Sequence, residues 1–224
     1  MLLFSFPAGG FGTNCYVLAA EPGGPCLVVD PGQAATDPLL RLFAEHRLEP
    51  AALLLTHGHM DHSWCARELG ARTGAPAVLH AADRFMLADP AAPLPPTFPG
   101  RLLAGYPESE PERLTLLEGS ADLELAGLRV RAHHSPGHTE GSTMFRVDPV
   151  RDGDPALLFT GDTLLADRLG DSGLPGGSRT RLESSLRRVC GPLDDSTVLL
   201  PGHGPAAALG TARSGLPLLR GEAA

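Results

Sequence analysis

Residues 56–62 read Thr-His-Gly-His-Met-Asp-His, which packs four metal-binding side chains, His57, His59, Asp61 and His62, into seven positions. Imidazole nitrogen and carboxylate oxygen suit zinc, with iron or manganese also compatible. His57 and His59 stand two apart, so in an extended segment both rings project to one side. Asp61 and His62 fall where the chain turns into a helix-like stretch, and they aim back at the same space from another direction. One loop therefore offers two pairs of ligands to two neighbouring cations.

Three more donors stand in comparable settings. His138 lies in Ser-Pro-Gly-His-Thr-Glu-Gly-Ser (135–142), Asp162 follows the apolar Leu-Leu-Phe-Thr-Gly (157–161), and His203 sits in Pro-Gly-His-Gly (201–204). Each comes just past a strand-like run, beside glycine that lets backbone bend closely around an ion. Taken singly they are ordinary: a lone His after a strand is more often a packed histidine, and Gly-Asp-Thr is a common turn or helix cap. The spacing H-x-H-x-D-H is far rarer by chance.

The elements that must position these donors follow from apolar patterning. Strands are expected at 2–6, 15–20 and 26–29, and a helix at 39–46 with Thr36 or Asp37 as its cap. Residues 51–55 form a continuous apolar run that reads as a buried central strand. A helix carrying Trp64, Ala66 and Leu69 follows the metal loop and closes near Gly74, then a strand at 77–80 and a short helix at 81–87. Seven prolines in 89–113 predict an irregular insertion, facing either substrate or solvent. Strands at 122–125, 128–132, 143–147 and 156–159, a helix at 180–189, a last strand at 197–200 and a terminal helix near 207–212 complete the chain. Such a series predicts an α+β sandwich, two sheets inside and helices outside, within one domain.

Composition narrows the function. The net charge is −8, which disfavours a nucleic-acid partner, and all 18 basic residues are Arg. Without Lys, Schiff-base and P-loop chemistry are excluded. Four scattered cysteines, no basic leader and no run of 18 apolar residues predict a reduced cytoplasmic protein that does not enter a membrane.

The stretches 56–62, 135–142, 158–163 (LFTGDT) and 200–205, with Asn-Cys-Tyr at 14–16, resemble the metallo-β-lactamase-fold superfamily, and within it the glyoxalase II-like hydrolases. The resemblance implies a four-layer αβ/βα sandwich with metals at one edge of the two sheets. It assigns His57, His59 and His138 to one ion, Asp61, His62 and His203 to a second, and Asp162 to both, the ions being two Zn2+. A single domain is expected, without the separate C-terminal helical domain that the larger glyoxalases carry.

Two cations about 3.5–4 Å apart lower the pKa of a shared water toward about 7, giving the hydroxide expected to attack an acyl carbonyl. Asp61 is the candidate catalytic group, placed to orient that hydroxide or carry its proton. No further acid stands out, which suits a thiolate leaving group with a conjugate-acid pKa of about 8.5. The expected substrate is a small thioester or related activated acyl compound, and the expected state a monomer or homodimer. The chain departs from the branch after Gly-Asp-Thr, where Gly170-Asp171-Ser172-Gly173 replaces Gly-Arg-Thr-Asp. Asp171 would then weaken recognition of an anionic thiol conjugate, with Arg168, Arg179 or Arg181 as replacement cations. The alternatives are a mononuclear iron persulfide dioxygenase using His57, His138 and Asp162, a specialised-metabolism hydrolase acting on a non-glutathione substrate, and a non-enzymatic binding module.

Overall fold

The computed structural model describes residues 1–107 and 109–220; Glu108, inside the 89–113 insertion, and residues 221–224 lie outside the described residues. The apolar runs of the first half become β1 (Leu2–Ala8), β2 (Thr13–Ala19), β3 (Pro25–Val29), β4 (Glu49–Leu54), β5 (Ala77–His80) and β6 (Leu114–Leu117). They hydrogen-bond in sequence order into one mixed sheet, antiparallel from β1 to β3 and parallel from β3 to β6. The second half gives β7 (Ala121–Leu125), β8 (Leu128–His134), β9 (Thr143–Val147), β10 (Leu157–Gly161), β11 (Val198–Pro201) and the two-residue β12 (Ala207–Ala208). These make a second six-stranded sheet in which only β10 and β11 run parallel.

The sheets face each other across a core of Tyr16, Leu18, Val29, Leu54 and Val78 from the first and Val130, Phe145, Phe159 and Leu200 from the second. Each fully buried side chain of this size contributes roughly 1.5–3 kcal/mol. Helices α1 (Thr36–His46) and α3 (Ala66–Thr73) cover the first sheet through Leu39, Phe43 and Leu69. Helices α4 (Arg179–Cys190) and α5 (Leu209–Gly215) cover the second through Leu182, Leu186 and Leu209. The result is the expected sandwich of helix, sheet, sheet and helix. Among the described residues no helix is long and apolar enough to cross a membrane.

Local details differ from the sequence reading. Neither Thr36 nor Asp37 caps α1: the cap position is Ala35, and Thr36 Oγ1 instead donates to Glu68 Oε2 on α3 at 2.9 Å. The helix after the metal loop is broken into α2 (Met60–Ser63) and α3. Cys65, between them, gives its amide to the Pro31 carbonyl at 2.9 Å, so the helical ladder cannot pass through. β6 was hidden behind the prolines, yet Leu114–Leu117 pairs in parallel with β5. Among its described residues the insertion holds one 3-10 turn, Gly100–Leu103. Tyr106 anchors it: the ring is buried against Trp64, and its hydroxyl lies 2.9 Å from Ser63 Oγ.

Candidate metal centre

Strand direction determines where the donors meet. The carboxyl ends of β3, β4, β8, β10 and β11 all emerge at one edge of the sandwich, where parallel strands leave a crevice. The β4 end leads into His57 and His59, the β8 end into His138, β10 into Asp162 and β11 into His203. Hydrogen bonds sew the two sheets together there: Thr143 N donates to Thr56 O at 2.8 Å and Asn14 N to Gly202 O at 2.7 Å, while Gly202 N donates to Gly161 O at 2.9 Å within the second sheet.

The seven donors converge into overlapping groups: His57, His59 and His138; His57, His62 and Asp162; and Asp61, His62 and His203. His59 Nδ1 lies 3.0 Å from both His57 Nε2 and His138 Nε2. His203 Nε2 is 3.2 Å from Asp61 Oδ2 and 3.5 Å from Asp162 Oδ2, and His62 Nε2 is 3.4 Å from Asp61 Oδ2. Asp162 stands between the groups, with Oδ1 3.5 Å from His62 and Oδ2 4.0 Å from His138. The histidines of the first group are buried, whereas Asp61 and Asp162 keep 19% and His203 30% of their side-chain surface, so the cluster opens to solvent on that side.

These residues fit metal ions. A tetrahedral zinc with ligands at about 2.0–2.1 Å holds donor atoms roughly 3.3 Å apart, close to the spacing here. His62 Nε2 and Asp162 Oδ1 are buried without a hydrogen-bond partner, a cost that a cation between them removes. Burial pushes His57 well down and His59 to about 3, with the neighbouring rings acting in the same direction on His57. Both therefore present neutral lone pairs, the form a metal requires. Burial works against ionisation of Asp61 and Asp162, but His62 and His203 act together, with Thr13 on Asp61 and His138 on Asp162, to hold both low. Burial likewise disfavours charge on His62, yet Asp61, Asp162 and Asp30 lift it well above its usual value. A hydrogen bond to Asp61 raises His203.

A second layer fixes the rings. His138 Nδ1 donates to the Asp171 carbonyl at 2.6 Å, which leaves Nε2 to face the cluster. His57 Nδ1 meets Thr56 Oγ1 at 3.1 Å, and that hydroxyl donates in turn to Asp30 Oδ2 at 2.8 Å. His62 Nδ1 lies 2.9 Å from the same Asp30 oxygen. Thr13 Oγ1 donates to Asp61 Oδ2 at 2.8 Å. Glycine is required at two points of close approach: a Cβ on Gly202 would lie 2.2 Å from Asp162 Oδ1, and one on Gly170 would lie 1.6 Å from Asp162 O.

Sequence reasoning passed over Asp30, Thr13 and Thr56 as functional residues. Asp30 was visible only as the end of a strand before Pro-Gly. Asp171 reaches the site through its carbonyl, while its side chain is exposed and accepts from Gly173 N at 2.8 Å. Arg168 pairs with Asp167 at 3.0 Å, Arg179 with Glu183 at 2.7 Å, and Arg181 with Glu140. His133 and His134 lie on β8, an interior strand, and His134 stacks on His80 with centroids 3.9 Å apart. Beside the β1–β2 turn, the insertion lines a groove of about 300 Å³ with Gly10, Phe11, Gln33, Arg101, Leu102 and Ala104.

Two mixed sheets between helices, with His and Asp donors gathered where the strands end, define a metallo-hydrolase scaffold. The chain belongs to the metallo-beta-lactamase superfamily, whose sequence profile matches residues 8–203. An uncharacterized protein of Mycobacterium tuberculosis (strain ATCC 25618 / H37Rv) is 45% identical over 222 residues, 99% of each chain. Hydroxyacylglutathione hydrolase GloC of Haemophilus influenzae is 29% identical over 217 residues, 96% of this chain and 97% of that one. The crystal structure of the BLEG-1 B3 metallo-beta-lactamase superposes with a TM-score of 0.81 at 30% identity, covering 97% of this chain and 99% of its own. TTHA1623 in a di-iron-bound form gives 0.75 at 29% identity, over 94% of this chain and 96% of its own.

Proposed function

We propose that the protein hydrolyses thioesters or related activated acyl compounds with two divalent ions, zinc being the ion its donors suit best. The observation that carries this reading is the pairing of a three-histidine group with an Asp61, His62 and His203 group, Asp162 standing between them. His57, His59 and His138 would hold one ion, Asp61, His62 and His203 the other, and Asp162 both. Bound there, such a pair acidifies a shared water and polarises an acyl oxygen.

The chain's own residues do the rest. Asp61, held by Thr13 and His203 at the solvent-facing side, orients the attacking water. Buried walls around His57 and His62 keep bulk water from the far side of the cluster. Among the described residues no separate acid stands beside the donors to protonate a poor leaving group, which favours a thiolate over an amine. The similarity to a hydroxyacylglutathione hydrolase supports a thioester, and the di-iron neighbour makes iron the first alternative metal.

The test is metal analysis of protein purified without added metal, combined with thiol release from lactoylglutathione and from simpler acyl thioesters. Two ions per chain and release of thiol are expected. One iron with oxygen uptake on a persulfide, or two ions with no thioester cleavage, would overturn the reading. Turnover of lactoylglutathione would also remove any discriminating role for Asp171, whose side chain is engaged by Gly173.

A further inference from the structure

We propose that Asp83 is a positioning residue that sets the spacing of the His57, His59 and His138 group by tying its two loops together. The proposal rests on the reading of those residues as metal ligands. Asp83 belongs to the 3-10 helix Ala81–Leu87, which follows β5, and carries no donor to the cluster itself. Its side chain is fully buried. Oδ2 accepts from Gly58 N at 3.0 Å, the amide between His57 and His59, and from Thr139 Oγ1 at 2.6 Å, next to His138. Oδ1 accepts from Gly141 N at 2.7 Å.

Two backbone amides donate, one to each oxygen, and the Thr139 hydroxyl completes a set that the ionised, acceptor-only carboxylate satisfies in full. One contact reaches the first sheet's loop, and two reach the second sheet's loop. Asp83 is therefore a bridge between halves of the sandwich that each supply part of one ion's ligand set. The packing around it is equally specific. A Cβ on Gly58 would lie 2.7 Å from Asp83 O, and one on Gly141 would lie 2.6 Å from Asp83 Cγ. Both loops are stripped to glycine where they close on Asp83, and Thr139 is braced against Ser142 Oγ at 2.8 Å.

Loss of a single partner behind a metal ligand costs about 10–100-fold in affinity. Asp83→Asn keeps the volume but turns an amide NH2 toward at least one of the donors. Thr139→Val removes one donor without touching Asp83, and Thr139→Ser restores the hydroxyl. Stepwise cobalt titration of metal-free protein, followed by visible absorption, reads the two sites. Hydrogen exchange of the Gly58 and Gly141 amides in metal-free protein reads the bridge without any metal.

The expected result is a roughly 10–100-fold weaker histidine-group ion in Asp83→Asn, a smaller loss in Thr139→Val and recovery in Thr139→Ser. The Asp61, His62 and His203 ion should change little. Amides 58 and 141 should exchange faster in Asp83→Asn while strand amides of β4 and β9 stay protected. Unchanged cobalt affinity with unchanged exchange overturns the proposal, as does equal weakening of both ions with loss of strand protection. Wild-type protein that takes up no cobalt overturns the metal reading, and the exchange measurement then decides the bridge alone.

Discussion

Replacing Asp30 by Asn isolates the contribution of a carboxylate that touches no ion. Asp30 is 1% exposed and sits at a φ of 49°, a left-handed conformation that Asn adopts as readily as Asp. The substitution therefore adds no backbone strain. Oδ1 accepts from Thr56 N at 2.8 Å, and Oδ2 accepts from Thr56 Oγ1 at 2.8 Å and from His62 Nδ1 at 2.9 Å. An amide has one oxygen and one NH2, so either orientation points a donor at a donor. Losing one charge-assisted bond is worth about 1.5–3 kcal/mol. That agrees with the roughly 10–100-fold loss of metal affinity that follows removal of a ligand's outer partner. The loss should fall on the ion held by His62, with a smaller effect through Thr56 on His57, whose Nδ1 is 3.1 Å from Thr56 Oγ1. Competition with a chromophoric chelator measures both dissociation constants. If Asp30→Asn binds its second ion within about two-fold of wild type, the outer partner does not set affinity and the reasoning fails.

Gly202→Ala should expel or displace the ion beside Asp162, because its Cβ would lie 2.2 Å from Asp162 Oδ1 and 2.5 Å from His62 Cε1; full metal content with unchanged activity would refute the steric argument. Tyr106→Phe should cost about 1 kcal/mol by removing the hydroxyl from Ser63, read as a lower denaturant midpoint and faster proteolysis within the insertion; unchanged cleavage would show that the anchor lies elsewhere. Arg101→Ala should raise KM roughly two- to five-fold for thioesters bearing a carboxylate, from about 0.5–1 kcal/mol for an exposed ion pair, and leave neutral thioesters unaffected; equal effects on both would remove the groove from substrate recognition. Burial, aided by His134 for His80 and by Arg131 and Arg188 for His133, lowers both rings from 6.5 to about 4. Between those values the unfolded chain binds the extra protons, so stability holds above pH 6.5 and falls as pH drops toward 4. Urea midpoints across that range should depend less on pH in His133→Gln, and an unchanged slope would exclude His133 as a source.

What the sequence displays and what it hides divide along a physical line. A ligand must be one of a few residue types, and the backbone must bend around it, so His57, His138, Asp162 and His203 each announce themselves beside glycine at a strand end. The central strand β4 was equally legible, because burial on both faces demands an unbroken apolar run. β6 was not, since its four residues follow a proline-rich stretch whose composition argues for irregular backbone. Residues that hold the ligands leave no local trace at all. Asp30 and Asp83 look like a turn residue and a helix residue, and their partners lie 26, 32, 56 and 58 positions away. Their clearest mark is indirect: glycines at 58 and 141, where any side chain would strike Asp83. A glycine next to a ligand therefore signals two different things, a backbone that must turn or a neighbour that must fit, and only the contacts across the sandwich separate them. At Gly202 the neighbours are the donors themselves, whereas at Gly141 the neighbour is the Asp83 carboxylate behind them and at Gly58 it is the backbone carbonyl of that same residue.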